Sequence, residues 1–147
     1  MLQHRLDYME HLKGVIVFKY VIYFIMLSND VVNISYSKKD KIFPDKKGVD
    51  KSKLQITNVG MYSVSKTQAS SKLVHIIKKY LGDGPLIITD ATGNVGSDTI
   101  QLGLNFTNVN SIEISKEQYP ILKHNVDTYK LKNVNVIQGD SLQVIPT

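Results

Sequence analysis

Cysteine is absent from this chain, which excludes disulfides and thiolate metal sites and is compatible with an intracellular protein. The four histidines (His4, His11, His75 and His124) stand at no metal-like spacing with one another or with acids, so no metal site is expected. No Gly-x-Ser-x-Gly occurs, so Ser97 is not a hydrolase nucleophile. No Gly-Lys-Ser/Thr follows the glycines at 93 and 96, which excludes an ATP-type phosphate cradle. The longest apolar run, residues 15–27, falls short of the ~20 residues that span a bilayer and carries Lys19 at its middle. Asp7 and Glu10 dilute any basic start, and Ser28-Asn29-Asp30 is a poor cleavage site, so a signal peptide is disfavoured as well. Membrane association is not expected. β-branched and aromatic residues dominate that run, which reads as a buried strand or helix.

What remains suits one small globular domain with a tail: 147 residues, 42% apolar and 21% charged. The net charge of +5 is unevenly placed. Residues 37–53 hold seven lysines against three aspartates, whereas residues 84–147 hold four lysines against six acids. Three regions follow: an apolar N-terminal segment of uncertain role (1–36), a lysine-rich linker or exposed arm (37–58), and a nucleotide- or nucleoside-binding type of domain (59–147).

Within the last region helices and strands alternate. Ser65-Lys-Thr-Gln68 is a capping-box signal, and Ala69, Leu73, Ile76, Ile77 and Tyr80 follow at helical spacing. Gly82-Asp-Gly-Pro85 ends that helix. Strand 86–89, helix 97–105, strand 109–114, helix 116–131 and strand 134–138 come next, the second of these helices opened by Ser115-Lys-Glu-Gln118. Alternation at this spacing predicts βαβ units, hence an α/β fold with a parallel sheet.

Each predicted strand closes on an acid: Asp90, Glu113 and Asp140. After Asp90 the chain turns through Gly93-Asn-Val-Gly96 into a helix, the arrangement that seats a nucleotide or nucleoside beside a helix start. Glu113 lies about 20 residues further on, where a ribose-binding carboxylate belongs. Gly93 and Gly96 permit backbone conformations and close approaches that a Cβ would block. Asn94 is the non-glycine residue best able to take a left-handed conformation inside the turn.

Asp90-Ala-Thr-Gly-Asn-Val-Gly-Ser-Asp-Thr-Ile-Gln101 resembles motif I of the class I S-adenosylmethionine (SAM)-dependent methyltransferases. It is most similar to that of the trimethylguanosine synthase-like RNA cap methyltransferases and their relatives in large DNA viruses. Gly60-Met-Tyr-Ser-Val-Ser65 resembles the segment before motif I in that family. The resemblance covers roughly residues 60 to 142. It implies a Rossmann-like parallel sheet truncated after its third strand, with SAM as cofactor and RNA as acceptor, the cap guanosine N2 being the position that the family methylates. Carried onto this chain, the cofactor-binding positions are Asp90, Ala91, Thr92, Gly93, Gly96, Glu113, Ile114, Asp140 and Ser141. Asp90 would orient the loop and the methionine portion, Glu113 would take the ribose hydroxyls, and Asp140 would meet the adenine amino group. The pattern departs from the family where Thr92 and Asn94 replace glycines.

The family's Asn/Asp/Ser-Pro-Pro-aromatic motif, which holds the acceptor amine, does not occur, so no catalytic residue is named. A partner subunit or a further segment is expected to complete the sheet, and this chain alone is not expected to methylate RNA. The resemblance implies an intracellular protein, cytoplasmic or nuclear, or a viral protein in its host cell. Two other readings stay open. One is a non-catalytic SAM-binding or scaffold subunit or degenerate relative. The other, disfavoured by the lack of a third glycine, is a NAD-dependent oxidoreductase. The lysine-rich residues 38–53 are the expected RNA contact.

Overall fold

The computed structural model describes residues 15–18 and 35–145. Strand β1 (Val15–Phe18) is followed by helix α1 (Tyr36–Ile42), a 3-10 turn (Lys51–Lys53), α2 (Asn58–Ser63) and α3 (Thr67–Leu81). Then come β2 (Ile87–Asp90), α4 (Ser97–Gly103), β3 (Asn108–Glu113), α5 (Gln118–Thr128), β4 (Val134–Gln138) and α6 (Ser141–Val144). The strands form one parallel sheet in the order β1-β2-β3-β4, with Asp90 opposite Ser111 and Glu113 opposite Gln138. The three strands read from the sequence are thus adjacent and parallel, as consecutive crossovers require.

The sheet has a fourth strand besides these three. Val15–Phe18 lies along the edge of β2 that β3 leaves free, with Phe18 opposite Asp90. The apolar run at 15–27 therefore takes the form of a strand over its first four residues. Residues 19–27 lie outside the described residues. Among the described residues, no helix is long and apolar enough to cross a membrane.

Side chains alternate across a sheet, so Ile88 and Asp90 share a face with Val109, Ser111 and Glu113. Both apolar clusters pack on that face. One joins Val74 and Ile77 of α3 to Ile88, Leu102, Phe106 and Val109. The other joins Val95, Ile100, Leu122, Val126 and Tyr129 to Phe43, Leu54 and Ile56. Val134 touches both, so they form one continuous layer.

Phe43, Leu54 and Ile56 correct the expectation of an exposed linker at 37–58, because all three are buried. Several lysines of this stretch are structural too. The ammonium of Lys39 donates to the carbonyls of Ser52 and Leu54, at 2.9 and 2.7 Å. Lys51, 3% exposed, pairs with Asp40 and Asp45, and Lys46 donates to the Tyr129 carbonyl. Lysine density is a poor guide to exposure here, because a long side chain can bury its stem and spend its charge on carbonyls.

Helix α3 is rotated from the expected stripe. Its buried residues are Ser70, Val74 and Ile77, while Ile76 and Tyr80 are exposed. The capping box at Ser65 does not form either. The hydroxyls of Ser65 and Ser70 donate to the Asp98 carboxylate at 2.6 and 2.5 Å. The N-cap place falls to Lys66, one residue later, while the Asp98 carboxylate fixes the Ser65 hydroxyl and turns the Ser70 face of the helix inward. The Ser115 hydroxyl does accept from the Gln118 amide, at 3.2 Å, in the turn that leads into α5. The Gln118 side chain, however, reaches Thr57 instead of closing the box.

Candidate cofactor site

The site lies where the parallel strands end. Asp90 closes β2 and is 7% exposed. Its Oδ1 accepts from the Thr92 amide at 3.2 Å, and its Oδ2 accepts from the Thr99 hydroxyl at 2.6 Å. Thr99 in turn shares a 2.7 Å bond with the Ser111 hydroxyl. Burial pushes the Asp90 carboxyl up from 3.8 to about 6, with Asp98 and Glu113 adding to the rise and the Thr99 hydroxyl opposing it.

Glu113 closes β3 and is 8% exposed. Its Oε2 accepts from the Asn94 amide at 2.7 Å, and its Oε1 accepts from the Ser115 amide at 2.8 Å. The carboxylate is therefore fixed from both sides. A carboxylate offers about four lone-pair sites, so each oxygen keeps one for a further donor. The third acid, Asp140, caps α6 by accepting from the Leu142 amide at 2.9 Å. Gly139, just before it, donates to the Glu113 carbonyl at 3.0 Å, which sets the third strand end beside the second.

The turn between β2 and α4 has the geometry that its residues allow. Asn94 is left-handed at φ 48, as expected of it, and Gly96 is left-handed at φ 95 where α4 begins. Gly93 is needed for a different reason. A Cβ there would stand 2.5 Å from the Ser111 hydroxyl and 2.6 Å from Leu122, so only glycine lets the turn lie on β3 and α5. Four of the turn's amides are committed inside the protein: Thr92 to Asp90, Gly93 to the Ile112 carbonyl, Asn94 to Glu113 and Gly96 to the Gly93 carbonyl. Beside the turn stand the carboxylates of Asp90, Glu113 and Asp140.

The remaining expected positions divide by exposure. Ala91 is buried at 4%, so only its backbone can face a ligand. Thr92 is exposed and Ser141 is half-buried. Ile114, next to Glu113, is 67% exposed, an apolar surface available to a flat ring. Sequence reasoning missed Thr99 and Ser111, because a hydroxyl relay behind a carboxylate has no sequence spacing of its own. Asn125, a structural residue, is fully buried and ties three segments together. It accepts from the Gln55 amide and donates to the carbonyls of Gln55 and Val95, each at 2.8 Å. Ser97 likewise donates to the carbonyls of Ile42 and Ser65. The turn is thus strapped to residues 42–65. Among the described residues, no cluster of acids and histidines could hold a metal.

Residues 86–147 match the family model of the RNA cap guanine-N2 methyltransferases. The match takes in all three strand-ending acids and the glycine turn, and the fold is α/β with a parallel sheet. Among curated proteins, an uncharacterised protein, L320, of Acanthamoeba polyphaga mimivirus is 24% identical over 131 residues, 75% of this chain. The chain spans about half of that relative's length, 51%. Among solved structures, Trm5b from Pyrococcus abyssi is 22% identical with a TM-score of 0.44, over 50% of this chain and 21% of its own. PH1948 from Pyrococcus horikoshii, described as a candidate RNA methyltransferase, is 21% identical with a TM-score of 0.45, over 54% of this chain and 40% of its own.

Proposed function

We propose that residues 60–145 are the SAM-binding half of a methyltransferase acting on RNA. The observation that carries this reading is the chemistry of the strand ends. Three carboxylates stand in a row, one of them pinned with lone pairs to spare, beside a glycine turn that carries no lysine. Such a site suits a cationic ligand that bears hydroxyls and lacks phosphate. It suits a dinucleotide less, because a pyrophosphate at the start of α4 would meet the carboxylates of Asp90, Asp98 and Glu113. The donor set therefore fits SAM. Glu113 would hold the two ribose hydroxyls, Asp140 the adenine amino group, and Ile114 the face of the adenine ring.

When bound, SAM supplies a methyl group on a positively charged sulfur. The chain's own part is to fix the cofactor. Asp90 and Thr99 hold the turn in shape, Gly93 and Gly96 keep it close to the sheet, and Glu113 locks the ribose end to the same turn. RNA as the acceptor class, and the guanosine N2 position within it, rest on the family match alone. Four lysines of residues 37–53 are exposed and free to meet phosphate: Lys38, Lys41, Lys47 and Lys53. An intracellular place of action in a virus's host rests on the mimivirus relative.

Calorimetric titration of the chain with SAM, and separately with NAD, tests the reading. Binding of SAM without NAD is expected, and binding of NAD without SAM would refute it. If SAM binds but no methyl transfer to RNA follows even with a partner or further segment supplied, the chain is a non-catalytic SAM-binding subunit.

A further inference from the structure

We infer that a composite basic surface, built by residues 46–53 together with α5 and the turn after it, is the face on which RNA lies; this rests on the RNA-directed reading above. The sequence separates the basic stretch from the acidic cofactor half, but folding joins part of one to the other. The His124 ring bonds the Lys53 carbonyl at 2.8 Å, Lys46 reaches the Tyr129 carbonyl, and the Tyr129 hydroxyl donates to the Pro44 carbonyl. These bonds bring exposed lysines of the early segment beside those of the late segment. Lys53 is thus joined to the helix that carries Lys123 through its neighbour His124, and Lys47 follows the lysine that binds the residue before Lys130.

All five of these lysines are exposed. Among the described residues, none of them forms an ion pair; the paired lysines are Lys51 and Lys78. The acids nearby are fewer. Asp40 and Asp45 are held by Lys51, Asp50 accepts from Ser52, and Asp127 is the exposed acid of α5. Lys130 stands at φ 55, a left-handed position after a helix end that favours glycine or asparagine. A lysine there carries a backbone cost for the charge it places on this face. The surface is also connected to the cofactor turn. The N-terminal end of α5 follows Glu113 and Ser115, Lys123 stands midway along it, Lys130 and Lys132 follow its end, and Asn125 holds the Val95 carbonyl. An RNA backbone lying along α5 would lead to the strand ends.

Single-stranded RNA binding, followed by fluorescence anisotropy of a labelled 20-nucleotide probe across salt concentrations, is the test. Lys53→Gln and Lys123→Gln remove exposed charges without touching the core. Each lysine–phosphate pairing removed should flatten the log-log salt slope by ~0.7, and the double variant should bind about tenfold more weakly at low salt. Lys72→Gln with Lys79→Gln, the same charge change on α3, should bind within about twofold of the parent. The inference is overturned if the intact chain binds no RNA, if binding ignores salt, if Lys53→Gln weakens binding while Lys123→Gln does not, or if the α3 pair weakens binding as much as the composite pair. SAM titration of the same preparations separates the two ideas. SAM binding with no RNA effect removes the surface alone, whereas failure of the intact chain to bind SAM removes the cofactor reading.

Discussion

Asp90→Asn isolates the energetic cost of the buried carboxylate that shapes the cofactor turn. In the folded chain burial raises this carboxyl from 3.8 to about 6. The native state therefore holds the proton more tightly than the unfolded chain. Asp90 favours folding below about pH 4, and that contribution is lost as the pH rises through about 6. The difference between 3.8 and about 6, at ~1.4 kcal/mol per pH unit, corresponds to about 3 kcal/mol lost by neutral pH. Asparagine has nearly the same shape. Its Oδ1 can accept from Thr92, its amide can donate to the Thr99 hydroxyl, and Thr99 can then donate to Ser111. The variant should thus resemble the protonated parent at every pH. Urea unfolding of both proteins from pH 4 to 8 gives a difference in which most other titrating groups cancel. Stability of the variant relative to the parent should climb by about 2–3 kcal/mol across that window, with its midpoint between the two values. A flat difference, or one that falls with pH, would show that the carboxylate is not penalised by burial and would refute the argument.

Glu113→Ala should weaken SAM binding by about 1.5–3 kcal/mol, the scale of a hydrogen bond to a charged group, measured by calorimetry; unchanged affinity would remove Glu113 from the site. Gly96→Ala should destabilise the chain by about 1–2 kcal/mol, because φ 95 is left-handed and the new Cβ would stand 3.0 Å from Leu122; urea midpoints check it. Asn125→Ala leaves the Gln55 amide and the carbonyls of Gln55 and Val95 without their partner. It should cost about 3 kcal/mol of stability and speed amide exchange at Gln55, which a simple cavity elsewhere on α5 would not do.

The alternation of strands and helices, the three strand-ending acids and the glycine turn are legible in the chain itself, because each is a local property. Periodicity names a strand or a helix, a carboxylate after an apolar run marks a strand end, and Asn94 and Gly96 are residues that tolerate the left-handed backbone they adopt. What the chain does not disclose is every feature that depends on partners far away in sequence. Phe43 and Ile56 become core only because α5 and the cofactor turn offer them an apolar face, so a lysine-rich stretch that looks like a linker packs as a strap. Ser65 lies outside the capping position, its hydroxyl fixed instead by the carboxylate of Asp98, 33 residues on. Asp90 owes its raised proton affinity to burial beneath Thr99 and Ser111, which only the packing of α4 against β3 brings over it. Local chemistry nominated the site, whereas burial and long-range hydrogen bonds decided how its groups are held, since desolvation and bond strength depend on what surrounds a residue and not on its neighbours in the chain.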